Sequence, residues 1–323
     1  MEHHPSASPV SVRVQDRNDA FLPKPSEQFV ATPEIESITD RALNYMDAGY
    51  PVHFTGVAGT GKTSLAFHVA AKLGQPAVLI HGDDEFGRSD LIGAEVGYRK
   101  SKVVDNFIRS VLKTDEQVKR LWEENRLARA CREGYTLIYD EFTRSRAEAN
   151  NVLLSILEER ILNLPSRSGS GDGYVRVHPN FRAIFTSNPE EYAGTHKTQN
   201  ALLDRLITIE LGFQDREMEI EITQSRSGIA RESAEVIVDI VRTARQIDSA
   251  QHGPSVRAAI TLARVFAGRE DDVAADSTIF RESCVDVLRP KRGSIAGPNG
   301  STTEGSNIRN EIEALVRTVF RKR

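Results

Sequence analysis

Residues 56–63 combine three glycines, a lysine and two threonines at a spacing that suits phosphate binding. Their sequence, GVAGTGKT, fits the pattern G-x-x-x-x-G-K-[ST], in which glycines let the backbone curl and point its N–H groups at phosphate oxygens. The Lys62 amine should reach the terminal phosphates, and the Thr63 hydroxyl should ligate Mg²⁺. Because the glycines depart from the dinucleotide pattern G-x-G-x-x-G, we expect a nucleoside triphosphate rather than NAD. The expected contacts are Gly56, Val57, Ala58, Gly59, Thr60, Gly61, Lys62, Thr63 and Ser64.

Two adjacent carboxylates end the apolar segment TLIYDE at 136–141. Asp140 is suitably placed to hold the Mg²⁺ shell, so Thr63 and Asp140 are the expected metal-binding residues. Glu141 can orient the attacking water or take its proton. A strand that ends in Asp-Glu is by itself commonly a solvated turn. The phosphate-binding loop earlier in the chain favours the catalytic interpretation.

An uncharged polar side chain ends another apolar segment, FTSNP at 185–189. The amide of Asn188 can hydrogen-bond both water and phosphate, and it would position the nucleophile without adding charge. An asparagine before proline is alternatively a turn-former. The order of the three motifs along the chain favours the functional interpretation.

The elements that must position these residues alternate between short apolar runs and longer helical stretches, which indicates a parallel sheet with crossover helices. The predicted strands are 51–55, 77–81, 136–140, 182–186 and 207–211. The predicted helices are one from Thr32 to about Ala48, and 63–73, 105–132, 146–160 and 199–206. The fold class is therefore α/β, a P-loop NTPase parallel sheet flanked by helices. Runs at 161–164 and 174–177 flank a Gly- and Ser-rich tract and predict an inserted hairpin.

A second, all-helical region follows residue 213. Segments 215–226, 231–250, 255–268 and 277–288 have helical patterns separated by Ser, Gly and Pro. The predicted organisation is a flexible arm at 1–28, a nucleotide-binding α/β domain at 29–213, a helical lid at 214–289, and a linker with a basic amphipathic tail at 290–323. That tail could dock on a partner or back on its own chain.

Composition narrows the class of protein further. With 42 Lys and Arg against 46 Asp and Glu, the 323-residue chain has a net charge of −4 and no overall basic field for nucleic acid. Its two cysteines, Cys131 and Cys284, are far apart and form no CxxC pair, which argues against a disulfide scaffold or a structural zinc site. No apolar run has the length of a membrane span, and the first residues do not read as a signal peptide. We expect a cytoplasmic protein with no nucleic-acid or lipid-membrane partner.

The three motifs in this order resemble the AAA+ ATPase module, and the hairpin with the segment LLDRL at 202–206 resembles its MoxR-type branch. The resemblance implies that ATP and Mg²⁺ are bound and that ATP is hydrolysed. It implies that Arg205 is an arginine finger donated to a neighbouring subunit. It also implies that Arg257, in the segment SVR at a helix start, contacts the ATP of its own subunit. Both arginines could alternatively be surface or ion-pair residues.

Longer stretches, above all DEFTRSRAEANN and NPEEYAGTHK, resemble the gas vesicle protein N family over residues 29 to 270. That resemblance implies a homo-oligomer, a hexameric ring, that supports growth of the gas vesicle shell in the cytoplasm and associates with shell or accessory proteins. Three alternatives stay open: a chaperone for metal insertion or activation of a metalloenzyme, a nucleic-acid motor, and a nucleotide-binding scaffold without hydrolysis.

Overall fold

The structure is a computed structural model, and it describes residues 20–26, 28–105, 113–164, 173–188, 200–247, 253–289 and 303–321. The strands are β1 (Val52–Thr55), β2 (Ala77–His81), β3 (Gly93–Asp105), β4 (Lys113–Glu124), β5 (Thr136–Asp140), β6 (Ile161–Asn163), β7 (Tyr174–Arg176), β8 (Arg182–Ser187) and β9 (Ile207–Glu210). The helices are α1 (Pro33–Asp47), α2 (Lys62–Leu73), α3 (Arg88–Ile92), α4 (Arg126–Glu133), α5 (Ala147–Asn150), α6 (Val152–Glu158), α7 (Asn200–Leu203), α8 (Arg216–Ser227), α9 (Arg231–Ile247), α10 (Val256–Phe266), α11 (Thr278–Leu288) and α12 (Thr303–Arg321).

Five strands form a parallel sheet in the order β2-β5-β8-β1-β9, which confirms the predicted fold class. All five were predicted to within one residue at each end. The middle strands are almost entirely buried, as expected where helices cover both faces of a parallel sheet. Since the strands run in one direction, Gly56, Asp140 and Asn188 all lie at the carboxyl edge of the sheet.

The helices beside the sheet begin and end as their local sequences indicate. The Thr32 hydroxyl caps α1 by accepting a hydrogen bond from the Ile35 N–H at 3.4 Å, and Pro33 occupies the first helical position. Helix α2 starts directly after the phosphate-binding loop. It ends at Gly74, whose φ of +68° is the left-handed conformation common after a helix.

The predicted helix over 105–132 is wrong. Its central part is instead β4, which pairs with β3 in an antiparallel ribbon from Gly93 opposite Glu124 to Asp105 opposite Lys113. The base of the ribbon is held by Asn125, whose side chain donates to the carbonyl oxygens of Asp90 at 2.8 Å and Ser89 at 3.3 Å. Only the last turns of the predicted helix exist, as α4, and residues 106–112 lie outside the described residues. Tertiary pairing overrides the local helical pattern here.

The smaller hairpin was predicted correctly. Strands β6 and β7 pair antiparallel, with Ile161 opposite Arg176 and Asn163 opposite Tyr174. The Gly- and Ser-rich connection at 165–172 lies outside the described residues. The hairpin inserts before β8, the strand that ends directly before Asn188.

Helices α8 to α11 follow the sheet, as predicted for the helical region. The tail helix α12 docks on its own chain, where Ile312, Leu315, Val316 and Val319 join the buried cluster of α9, α10 and α11. The rings of Phe320 and Phe280 meet edge to face at 6.2 Å. The apolar face of the tail is therefore used within the chain. Of the predicted arm at 1–28, residues 1–19 and 27 lie outside the described residues, and so do residues 290–302 and 322–323 of the predicted linker and tail at 290–323.

Candidate functional site

The phosphate-binding loop is curled around the end of a lysine side chain. Gly56, Gly59 and Gly61 have φ values of +149°, +85° and +89°, which side-chain-bearing residues rarely adopt. A β-carbon at Gly56 would lie 2.2 Å from the carbonyl oxygen of Leu211, so the residue that follows β9 packs against the loop at that point. The Lys62 amine donates to the carbonyl oxygens of Gly56 at 2.7 Å and Val57 at 2.8 Å. The loop thus has the curled backbone and the central cation that phosphate binding requires.

The predicted metal-binding residues touch each other. The Thr63 hydroxyl donates to Asp140 Oδ1 at 2.7 Å, and the Thr186 hydroxyl donates to the same oxygen at 2.6 Å. The second carboxylate oxygen, Oδ2, lies 3.4 Å from His81 Nδ1. Hydroxyl and carboxylate oxygens are the ligands that Mg²⁺ prefers, so this pair fits the predicted ion. The sequence analysis did not single out Thr186, although the predicted strand at 182–186 ends at this residue.

The predicted catalytic carboxylate lies at the rim. Glu141 has a φ of +52°, and its backbone N–H donates to the Thr186 hydroxyl at 2.9 Å. A β-carbon at Gly82 would lie 2.0 Å from the Glu141 carbonyl oxygen, so the glycine at the end of β2 is needed for this turn. The Glu141 side chain pairs with Arg144 at 3.0 Å, and both are exposed. An exposed pair of this kind contributes little, so it can open when nucleotide binds.

Asn188 is 4% exposed, and its Oδ1 atom has no hydrogen-bond partner among the described residues. Buried amide oxygens nearly always have a partner. Asn188 lines the cavity beside the phosphate-binding loop, together with Glu141. An acceptor in that place is suited to receive a hydrogen bond from a water molecule, which is the role predicted for it.

A cavity of about 390 Å³ extends from the loop between the sheet and the helical region. Its lining combines polar residues of the loop with apolar residues, as expected for a nucleotide's phosphates and base. One of the apolar residues, Phe29, stacks on His68 with ring centroids 4.2 Å apart. The apolar lining comprises Phe29, Val30, Ile35, Met218, Ile222 and Ile260.

The helical region contributes cations to the other wall of the cavity. Arg257 lines it, as predicted, and Ser255 at the same helix start packs so closely that a β-carbon at Gly59 would lie 2.2 Å from its hydroxyl. Two further arginines, Arg226 and Arg264, also line the cavity and were missed. Arg264 is two turns after Arg257, so both lie on one face of α10.

Arg205 does not line this cavity. Its guanidinium pairs with Glu158 Oε1 at 2.6 Å and also donates to the carbonyl oxygen of Ala201. Glu158 is the last residue of α6 and Ala201 lies in α7, and Arg205 remains partly exposed. One subunit therefore brings together the loop, Asp140, Glu141, Asn188 and Arg257, but not Arg205.

Comparisons with known proteins agree with this geometry. A family model described as "AAA domain (dynein-related subfamily)" matches residues 51–206. The gas vesicle ATPase GvpN of Ancylobacter aquaticus is 46% identical over 93% of this chain and 83% of its own length. That of Haloferax mediterranei is 38% identical over the same shares. Protein NorQ of Paracoccus denitrificans is 28% identical over 75% of this chain and 83% of its own length.

The sheet, the phosphate-binding loop and the acidic strand end define an AAA+ ATPase, with ATP hydrolysis as its activity. Similarity at this level over most of both chains assigns it further. The chain belongs to the gas vesicle ATPase GvpN family. Among the described residues, no helix has the length and apolarity needed to cross a membrane.

Proposed function

We propose that this protein is a Mg²⁺-dependent ATPase that works as a ring and supports assembly and growth of the gas vesicle shell, acting at the vesicle in the cytoplasm. Its similarity to gas vesicle ATPases over 93% of the chain supports the vesicle role. The observation that carries the ring is the position of Arg205 outside the cavity that holds the other site residues. The number of subunits in the ring, six by resemblance, is part of the proposal.

In this proposal the chain's own residues divide the chemistry. The curled loop and Lys62 hold the phosphates, while Thr63 and Asp140 hold Mg²⁺. The ion, when bound, supplies charge against the phosphate oxygens. Glu141 leaves Arg144 to orient the attacking water, and the unpaired oxygen of Asn188 accepts a hydrogen bond from that water. These roles need only small side-chain movements from the observed positions.

A guanidinium near the transferred phosphoryl group stabilises the charge of the transition state by about a thousandfold in rate or more. Arg257 reaches the cavity from its own lid, and Arg205 would reach the cavity of a neighbouring subunit. The ion pair of Arg205 with Glu158 is partly exposed, and Arg205 Nε has no partner among the described residues. Breaking this pair to form a contact across a subunit interface therefore costs little.

Mixing two inactive variants tests the shared site. Arg205→Ala subunits keep Glu141 but lack the finger, and Glu141→Gln subunits keep the finger but lack the carboxylate. Each alone should lose ATP turnover about a hundredfold or more. A mixture should regain turnover, because an Arg205→Ala site receives the finger of its Glu141→Gln neighbour.

The matched control is the double variant Glu141→Gln/Arg205→Ala, which offers neither group and should not restore turnover to Arg205→Ala. If the single-variant mixture stays as inactive as this control at every ratio, the intersubunit site is wrong. Sedimentation with ATP in the same samples shows whether rings form, so that failure to assemble is told apart from failure to complement.

The vesicle role is tested separately in cells that carry a gas vesicle gene set. Replacement of the wild-type gene by Glu141→Gln should abolish buoyancy and mature vesicles, with the variant protein present at normal level. Normal vesicles would contradict the proposal. The alternative from the sequence, activation of a metalloenzyme client, stays a prediction that direct client binding by the purified protein would test.

A further inference from the structure

A buried histidine lies within the sheet, on the strand that leads into the phosphate-binding loop. His53 is on β1, is 3% exposed, and contacts both neighbouring strands. Its Nε2 atom lies 2.8 Å from the Ser187 hydroxyl on β8, and its Nδ1 atom lies 3.0 Å from the Thr208 hydroxyl on β9. The ring also meets Phe142 edge to face at 5.3 Å. Both ring nitrogens therefore take part in hydrogen bonds, although the chemistry predicted for the site gives His53 no role.

The donors and acceptors at His53 follow from the hydrogen bond between Ser187 and Thr55. The Ser187 hydroxyl donates to Thr55 Oγ1 at 3.3 Å, so it accepts from His53. This assigns the ring proton to Nε2 and leaves Nδ1 to accept from Thr208. Burial lowers the pKa of His53 to about 4, so the ring is neutral and keeps this single arrangement at neutral pH.

Two partners of His53, Ser187 and Phe142, are each adjacent in sequence to a site residue. Ser187 directly precedes Asn188, and Phe142 directly follows Glu141. Thr55 ends β1 where the phosphate-binding loop begins. Thr208 lies on β9, the strand that follows Arg205. His53 thus contacts, directly or through Ser187, residues that lie next to the phosphate-binding loop, Glu141 and Asn188, and it contacts the strand that follows Arg205.

Packing alone does not account for a histidine here. A ring buried this deeply gives up hydration that its hydrogen bonds only balance, and an apolar side chain would avoid that cost. The hydrogen-bonded series Thr208–His53–Ser187–Thr55 connects three adjacent strands of the sheet through their side chains. Directional bonds fix the relative position of strand ends, whereas apolar contacts tolerate sliding.

We propose that His53 is a positioning residue for ATP hydrolysis, which sets the end of β8, and with it Asn188, against the phosphate-binding loop and connects both to β9. The inference rests on the proposed role of Asn188. It assigns no contact between His53 and the nucleotide, so it concerns the rate of hydrolysis and not the strength of nucleotide binding.

Two conservative variants separate the two ring nitrogens. In His53→Asn the amide oxygen takes the place of Nδ1 and keeps the Thr208 bond, but the Ser187 bond is lost. In His53→Gln the amide nitrogen takes the place of Nε2 and keeps the Ser187 bond. We expect kcat to fall about tenfold in His53→Asn and in Ser187→Ala, and to stay within about threefold of wild type in His53→Gln, a difference of roughly 1 kcal/mol in activation free energy.

Nucleotide affinity, measured with a fluorescent ADP analogue, should change less than about twofold in all three variants, because the loop and Lys62 are intact. Thr39→Val is the matched control for loss of a buried hydroxyl, since the Thr39 hydroxyl donates within α1, to the Ile35 carbonyl oxygen at 2.7 Å, and Thr39 is not among the residues that line the cavity. It should keep kcat even if its unfolding temperature falls as much as that of Ser187→Ala.

Three results would overturn the inference: equal kcat in His53→Asn and His53→Gln, parallel losses of kcat and ADP affinity, or a kcat that follows unfolding temperature across all variants including Thr39→Val. Asn188→Ala, measured in the same assay, tests the role of Asn188 separately from that of His53. If it lowers kcat while His53→Asn does not, only the inference fails. If Asn188→Ala keeps full kcat, the proposed role of Asn188 fails and the inference fails with it.

Discussion

The two walls of the nucleotide cavity are built in different ways. On the sheet side, Thr63, Asp140 and Thr186 hydrogen-bond one another, and Lys62 bonds the loop that surrounds it. On the lid side, the cavity is lined by arginines on α8 and α10. Direct hydrogen bonds between the lid and the loop include the one from the Gln214 amide to the Thr60 carbonyl oxygen, at 3.3 Å.

The difference separates a preformed part of the site from an adjustable part. Groups that already hold one another do not need to be ordered when nucleotide binds, which favours their use in the chemical step. The lid's cations are long, flexible side chains, so they can respond to whether ATP or ADP is bound. We therefore expect changes on the sheet side to abolish activity and changes on the lid side to alter affinity and nucleotide response.

The largest effect is expected from Lys62→Ala on the sheet side. Loss of the only cation within the loop should reduce ATP turnover about a thousandfold and weaken ATP binding strongly. Steady-state turnover and a fluorescent-nucleotide titration measure the two effects. A change in Lys62→Ala no larger than that of Arg257→Ala would break the contrast between the walls.

A smaller effect is expected from Arg257→Ala on the lid side. Loss of one charge-assisted contact should weaken ATP binding about ten- to a hundredfold. ADP binding should be less affected, since the expected partner of Arg257 is the terminal phosphate, which ADP lacks. Arg257→Lys keeps the charge but not the planar fork and should fall between wild type and alanine. Equal losses for ATP and ADP would show that Arg257 does not distinguish the terminal phosphate.

The smallest effect on nucleotide is expected from a change behind the lid wall. Glu219 is 2% exposed and accepts from Arg242 at 3.0 Å and Arg245 at 2.8 Å, and Arg245 also donates to the Pro254 carbonyl oxygen just before α10. Glu219→Gln should lower the free energy of unfolding by about 3 kcal/mol. It should weaken ATP binding only a few-fold, through the position of the α10 start.

The exposed pair of Arg216 with Asp239 is the matched control for Glu219. Asp239→Asn should change the free energy of unfolding by less than about 1 kcal/mol and leave ATP affinity unchanged. If Glu219→Gln weakens ATP binding as much as Arg257→Ala does, the lid is not an adjustable wall. ATP affinity would then depend on the buried ion pairs of the lid as much as on the arginine that lines the cavity.

The sequence predicted the sheet side more completely than the lid side, for a physical reason. Motif residues such as Lys62 and Asp140 lie at strand ends, and parallel strands bring their ends to one edge whatever the details of packing. Arg226 and Arg264 face the cavity only because of how α8 and α10 pack, which a single helix pattern does not determine. Thr186 and His53 were missed because their importance depends on neighbours on other strands.

The error over 105–132 has a different origin. Residues 113–124 contain only three apolar side chains, Val118, Leu121 and Trp122, so neither a helical nor a strand period is well defined there. Charged residues of good helix propensity favoured a helix locally. Pairing with β3, up to thirty-one positions earlier in the chain, is not visible in a local window.

The close approach of Ser255 to Gly59 has an evolutionary consequence. Phosphate binding requires a residue that adopts a φ of +85° at position 59, and the lid separately excludes any β-carbon there. A drifting sequence would have to relax both requirements together, through changes in two parts of the chain. Even a descendant that had lost ATP binding would keep this glycine as long as its lid closed in the same way.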